Sequence, residues 1–123
     1  RGGMRPAGKT PMDTEASARD AELARLRNIL ERIGDQHRYT LTLKQLTALL
    51  TCHLNDQDRT LRMIAARLGS AKPAVSRMLA HLIEQGLIER QADPRDRRSV
   101  LFQYTPAGQK FLRGIVAENG DRR

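Results

Sequence analysis

Arg77 is the residue of this sequence best suited to reading a base edge, because a planar guanidinium presents a rigid fork of donors that matches the paired acceptors of guanine. The stretch around it can be projected as a helix at about 100° per residue. With Val75 at zero, the apolar Val75, Met78, Leu79, Leu82 and Ile83 fall on one side. Pro73, Arg77, Ala80, His81 and Glu84 fall on the other, with Ser70, Ala74 and Ser76 at the margins. An exposed helical face that begins with short polar and cationic residues is what the DNA major groove accepts. On that basis Arg77 is assigned to a guanine, Ser70, Lys72 and Ser76 to phosphates or base edges, and Pro73 and Ala74 to the methyl group of thymine. His81 is a further base or phosphate candidate, and a plain surface histidine on equal terms. Glu84 is expected to point away from the duplex.

A second group of donors sits in Asp93-Pro94-Arg95-Asp96-Arg97-Arg98. Arg95, Arg97 and Arg98 at the tip of a hairpin would reach a minor groove or the phosphate backbone. Two acids among them suggest internal braces, Asp96 with Arg98 or Asp93 with Arg95, and Arg95 and Arg97 are favoured as the groove contacts. Other chemistry is missing from the pattern. His37, His53 and His81 fall on separate elements, and the neighbours Cys52 and His53 face different ways on a helix, so no metal set forms. Nucleotide hydrolysis is not expected. The lone Cys52 has no evident group to lower its pKa, which favours a packing or surface role over a redox one. Neither catalysis nor a cofactor is expected.

The elements that must position these residues are legible in the periodicity. Leu61, Ile64, Ala65 and Leu68 fall at i, i+3, i+4 and i+7, a short helix that Gly69 can end. After a turn, a helix over about 72–85 opens with Pro73 in its first turn and stops at Gly86. Two short helices around a glycine turn are a helix-turn-helix. Ile88, Val100, Phe102 and Tyr104 then alternate on either side of the 93–98 turn, a two-stranded wing. Upstream, a helix is expected from Asp13 or Thr14 to Ile33, with Gly34 closing it in a left-handed conformation. Its Leu23, Leu26, Leu30 and Ile33 form a seam of the kind that packs along another helix, in a dimer or on its own domain. A second helix begins after Thr42 and runs to about Leu54, with Leu43, Leu46, Leu49, Leu50 and His53 inward, before a polar loop from Asn55 to Asp58. A last short helix carries Phe111, Leu112, Ile115 and Val116. The fold class is mainly α with a small β-hairpin, a winged helix-turn-helix. Residues 1–12 are expected to be a disordered basic arm, 13–116 the domain including the N-terminal helix 13–34, and 117–123 a polar tail.

Charge agrees with this placement. The chain has 123 residues and a formal charge of +8, the size of one domain and the sign of a protein with a polyanionic partner. Half of that excess lies between Thr60 and Tyr104, where eight bases face four acids. Tyr39, Phe102, Tyr104 and Phe111 are the only aromatics, too few for a surface that stacks unpaired bases, so duplex DNA is the expected partner. One cysteine and no long apolar run suggest a cytoplasmic, nucleoid-associated protein with no membrane partner.

The segments LTLKQLTALL, IAARLGSAKPAVSRMLAHLIEQGLIER and DPRDRRSVLFQYTPAG together resemble the MarR family of bacterial winged-helix transcription regulators, over about half of the chain. The wing of the form Asp-Pro-x-Asp-x-Arg, followed by a strand and Thr-Pro-x-Gly, is the most specific part. The resemblance implies a dimeric repressor or activator whose recognition helix enters the major groove, with Ser76 and Arg77 at contact positions and Arg97 at the wing tip. Two features depart from the family pattern. Ser70-Ala71 replaces the usual hydrophobic residue and serine after the turn glycine, and the chain ends about 15 residues after Gly108. The family's long C-terminal dimerisation helices are therefore expected to be mostly missing, with the Leu23-Leu26-Leu30-Ile33 seam as a substitute interface. A small-molecule effector pocket of any size is not expected. Two other uses of such a fold stay open: an architectural, segregation or recombination accessory protein, and a protein-interaction module.

Overall fold

Threonine starts three of the helices in the computed structural model, which describes residues 11–36, 38–54 and 58–116. The elements are α1 (Pro11–Gly34), α2 (Leu43–His53), α3 (Leu61–Leu68), α4 (Lys72–Glu84), β1 (Ile88–Asp93), β2 (Asp96–Tyr104) and α5 (Pro106–Ile115). Thr42 Oγ1 accepts from the Gln45 N–H at 3.1 Å while Gln45 Oε1 accepts from the Thr42 N–H at 2.9 Å, a complete capping box. Thr60 and Thr105 cap α3 and α5 with the hydroxyl alone, which accepts from the N–H groups of Met63 and Gly108. α4 starts after Ala71, which offers no side-chain cap, and relies on Pro73 for its first turn. Gly69, at φ 63°, and Gly86, at φ 77°, end α3 and the turn after α4 in the left-handed region that glycine enters without strain.

Contacts divide the chain into two compact units, residues 1–35 and 36–123. The first is α1, which starts at Pro11 rather than at Asp13 or Thr14; proline suits a first helical position, where its fixed φ is already helical and its missing N–H is no loss. Gly34 is not left-handed as expected: the Asp35 N–H donates to Glu31 O at 3.1 Å and Arg32 O at 3.2 Å, so the last turn closes in the right-handed sense. Leu23, Leu26 and Leu30 of α1 are exposed, and Ile29 and Ile33 half-buried. Residues 1–10 of the expected arm, the 117–123 tail, His37 and Asn55 to Gln57 lie outside the described residues. Pro11 and Met12, assigned to the arm, are helical.

The second unit packs α2, α3, α4 and α5 with an antiparallel hairpin around a core of Leu49, Ile64, Val75, Leu79, Leu82, Leu87, Ile88, Phe111 and Leu112. α2 contributes Ala48, Leu49, Thr51 and Cys52 as its buried face, not the arc centred on the leucines. Leu43 is 74% exposed, because the small Ala48 and Cys52 let the opposite arc approach its neighbours closely and turn the first residue of the helix outward. Thr51 is admitted because its hydroxyl donates to Thr47 O at 2.8 Å. Two other apolar expectations fail. Val100, in the middle of β2, pairs with Ala92 where the hairpin register shifts, Val116 follows the last residue of α5, and both are exposed.

The hairpin pairs Ile88 with Tyr104, Arg90 with Phe102 and Ala92 with Val100, with an irregularity between Ala92 and Asp93. On its other edge β2 meets the residues before α3: Thr60 bridges Leu101, and the Phe102 N–H donates to Arg59 O at 2.9 Å. At its base, Thr105 ties α4, the hairpin and α5 together. Its hydroxyl donates to Gly86 O at 2.6 Å and its N–H to Leu87 O at 3.1 Å. A Cβ at Gly108 would collide with the Leu87 carbonyl oxygen, so that glycine lets α5 pass close to the chain entering β1.

Candidate nucleic-acid interface

The core fixes how α4 is turned. Val75, Leu79 and Leu82 are fully buried, and residues at the complementary positions therefore face solvent. Lys72, Pro73, Ser76, Arg77, Ala80 and Glu84 are exposed, Ala74 and His81 half-buried. The exposed arc is the one expected from the periodicity. Ser70, in the turn before α4, is already engaged: its hydroxyl accepts from Lys44 Nζ at 2.8 Å and donates to Leu68 O at 3.4 Å. That contact ties α2 to the helix-turn-helix turn.

The wing tip is braced twice. Asp93 Oδ1 accepts from the Arg95 N–H at 2.9 Å, and Asp96 Oδ1 from the Arg98 N–H at 3.0 Å. The two pairs were expected as alternatives and both are present: Asp96 holds Arg98 through its backbone N–H, and Asp93 holds Arg95 through the backbone N–H and the guanidinium. The Arg95 side chain also pairs with Asp58 at 3.4 Å and Asp93 at 3.6 Å. Its charged form is stabilised first by the hydrogen bond and charge of Asp58, then by Asp93. Arg97 and Arg98 are exposed and make no ion pair among the described residues.

Between α4 and the wing runs an open groove of about 540 Å³ that brings the two groups of candidates together. Lys72 and Ser76 line it from α4, and Arg98 from β2. Arg62 and Arg90 line it as well, and neither was singled out from the sequence. Arg62, second in α3, and Arg90, on β1 opposite Phe102, entered only as part of the charge of the 60–104 segment; their place beside the groove depends on how α3 and the hairpin pack. Arg77, Arg95 and Arg97 are not among the lining residues.

Cys52 is fully buried, and burial pushes its thiol up to about 12 against the opposing charge of Arg59. At neutral pH it is a protonated, packed side chain. His53 beside it turns its ring onto Tyr104, centroids 4.6 Å apart. No group of three metal-ligating side chains gathers among the described residues, and no helix there is long and apolar enough to cross a membrane.

Comparison with known proteins places this architecture. The model of the MarR family matches residues 39–99, from the start of the second unit into the wing. A transcriptional regulator from Thermotoga maritima shares the fold at a TM-score of 0.70 with 20% identity, over 83% of this chain and 71% of its own. MepR from S. aureus, in a crystal structure of its complex with DNA, is 25% identical, with a TM-score of 0.55 over 80% of this chain and 76% of its own. A probable transcriptional regulator from Pseudomonas aeruginosa is 26% identical, with a TM-score of 0.58 over 80% of this chain and 70% of its own. No curated protein sequence matches the chain.

Proposed function

We propose that this chain, which belongs to the MarR family of winged-helix DNA-binding transcription regulators, reads its operator with the exposed face of α4 in the major groove while the tip of the wing holds the adjacent minor groove or backbone. The carrying observation is the shared groove, in which Lys72 and Ser76 of α4 stand beside Arg90 and Arg98 of the wing. Arg77, on the exposed arc of α4, makes the bidentate contact to guanine, and Pro73 and Ala74 meet a thymine methyl. Lys72, Ser76 and Arg98 contact phosphates, joined by Ser70 at the turn and by His81 toward the end of the helix. Arg97 enters the minor groove or grips its edge.

The acting species is a homodimer. Leu23, Leu26 and Leu30 are exposed along α1 at the spacing of a helix seam, with Ile33 beside them, and a second copy would bury them. Two recognition helices would then meet a pseudo-palindrome about 34 Å apart. The protein would act in the cytoplasm, on the nucleoid, by occupying a promoter, with no resident cofactor.

The test is selection of bound duplexes from a random library, followed by affinity measurements at two salt concentrations. With about four phosphate contacts per protomer, affinity should fall on the order of 10³-fold or more between 50 and 200 mM salt. A selected site with two-fold symmetry supports the dimer. Affinity that does not respond to salt, or no duplex binding at about 50 mM, overturns the proposal and points to a protein partner. A footprint that spreads along the DNA without a preferred site points to an architectural role.

A further inference from the structure

The three arginines of the wing tip are held in different ways. The Arg95 guanidinium lies between two carboxylates, with Nη2 3.4 Å from Asp58 Oδ1 and Nε 3.6 Å from Asp93 Oδ1. Asp93 is almost fully buried, and its Oδ1 is also fixed by the Arg95 N–H at 2.9 Å, so one end of this bridge is anchored in the fold. Asp58 belongs to the residues that lead into α3, and the next two of these, Arg59 and Thr60, are hydrogen-bonded or bridged to β2 at Phe102 and Leu101. The wing is thus attached to the approach to α3 at two separate places, by backbone along β2 and by Arg95 at the turn. Arg97 and Arg98 have no such partners among the described residues.

From this arrangement we infer that Arg95 is a positioning residue and not a DNA contact: by bridging Asp93 and Asp58 it sets the wing against the helix-turn-helix, so that Arg97 and Arg98 meet the duplex already in place. The inference rests on the reading that the wing tip touches DNA. It assigns a role to Asp58, an acidic residue that electrostatics alone would count as repelling phosphate. Pre-organisation of this kind lowers the ordering cost of binding without adding a contact.

The affinity of the full chain for one selected duplex, measured from 50 to 200 mM salt, tests it. Arg97→Ala comes first and examines the reading itself: the salt slope should fall by about 0.9 for each phosphate contact removed, and an unchanged slope would remove the wing from the interface. Arg95→Ala and Asp58→Asn should each weaken binding about two- to fivefold with the slope unchanged, the range expected for a solvent-exposed ion pair. Their double variant should be no weaker than either single one, because both remove the same bridge. Asp58→Glu, which keeps the carboxylate, should retain most of the affinity. Tighter binding by Asp58→Asn, no change in it, or a lower slope in Arg95→Ala would each overturn the inference.

Discussion

α4 and the wing both present cations to the same groove, but they are held by opposite means. α4 is oriented by fully buried Val75, Leu79 and Leu82, so turning it would take apolar surface out of the core. The wing tip has one buried anchor, Asp93, and otherwise depends on backbone braces and exposed ion pairs. Surface pairs of that kind are worth little individually and weaken with salt. The direction in which α4 points is therefore as stable as the fold, whereas the placement of the wing can be adjusted by single charges at little cost to folding. That division suits a reader of sequence on a rigid helix and a holder of backbone on an adjustable one.

The largest expected effect breaks the rigid side. Leu82→Ala should destabilise the protein by about 2–5 kcal/mol in thermal or denaturant unfolding, and DNA binding should fail in step with the fold. Unaltered stability would mean that the core does not fix α4. Arg77→Ala should leave the fold intact, cost about 1–3 kcal/mol in binding, and relax preference at one base pair, as read from affinities for single-substituted duplexes. Thr105→Val removes the cap of α5 and the hydrogen bond to Gly86 O, and should cost about 1–2 kcal/mol in unfolding free energy. Arg97→Ala should weaken all duplexes nearly alike while leaving unfolding within about 0.5 kcal/mol of the parent.

Cys52 offers the smallest signal at neutral pH and a check on the same core. Its thiol should resist alkylation in the native protein at pH 7 to 8 and react only through unfolding, faster in Leu82→Ala. The native protein holds this proton up to about pH 12, whereas the unfolded chain gives it up near 9.0, so Cys52 contributes stability that is present below pH 9 and is lost as the pH rises toward 12. Unfolding free energies of the parent and Cys52→Ala should converge across that interval.

Local rules carried most of the helix-turn-helix. Gly69 and Gly86 stand where the periodicity stops, and the exposed arc of α4 follows from spacing because one face of a short helix must be buried. Where the sequence misled, packing decided. Leu43 and Val100 have apolar side chains in plausible registers, yet Leu43 heads α2, Val100 lies where the hairpin register shifts, and both are exposed. Gly34 had the chemistry of a helix stop without the backbone that calls for it. The pairing of Arg95 with Asp58 joins residues 37 positions apart, and the places of Arg62 and Arg90 beside the groove depend on how three elements meet. No local pattern encodes such contacts.

The division of labour between α4 and the wing is tested most directly by the ratio of affinities for a selected site and a scrambled duplex at about 150 mM salt, measured for the parent, Arg77→Ala and Arg97→Ala. A sequence reader in this class should prefer its site by at least about 10³-fold. That ratio should fall roughly 10- to 100-fold in Arg77→Ala and stay constant in Arg97→Ala, although absolute affinity drops in both. A ratio that collapses in Arg97→Ala and survives in Arg77→Ala would contradict the account, because the wing would then be the reader and α4 the support.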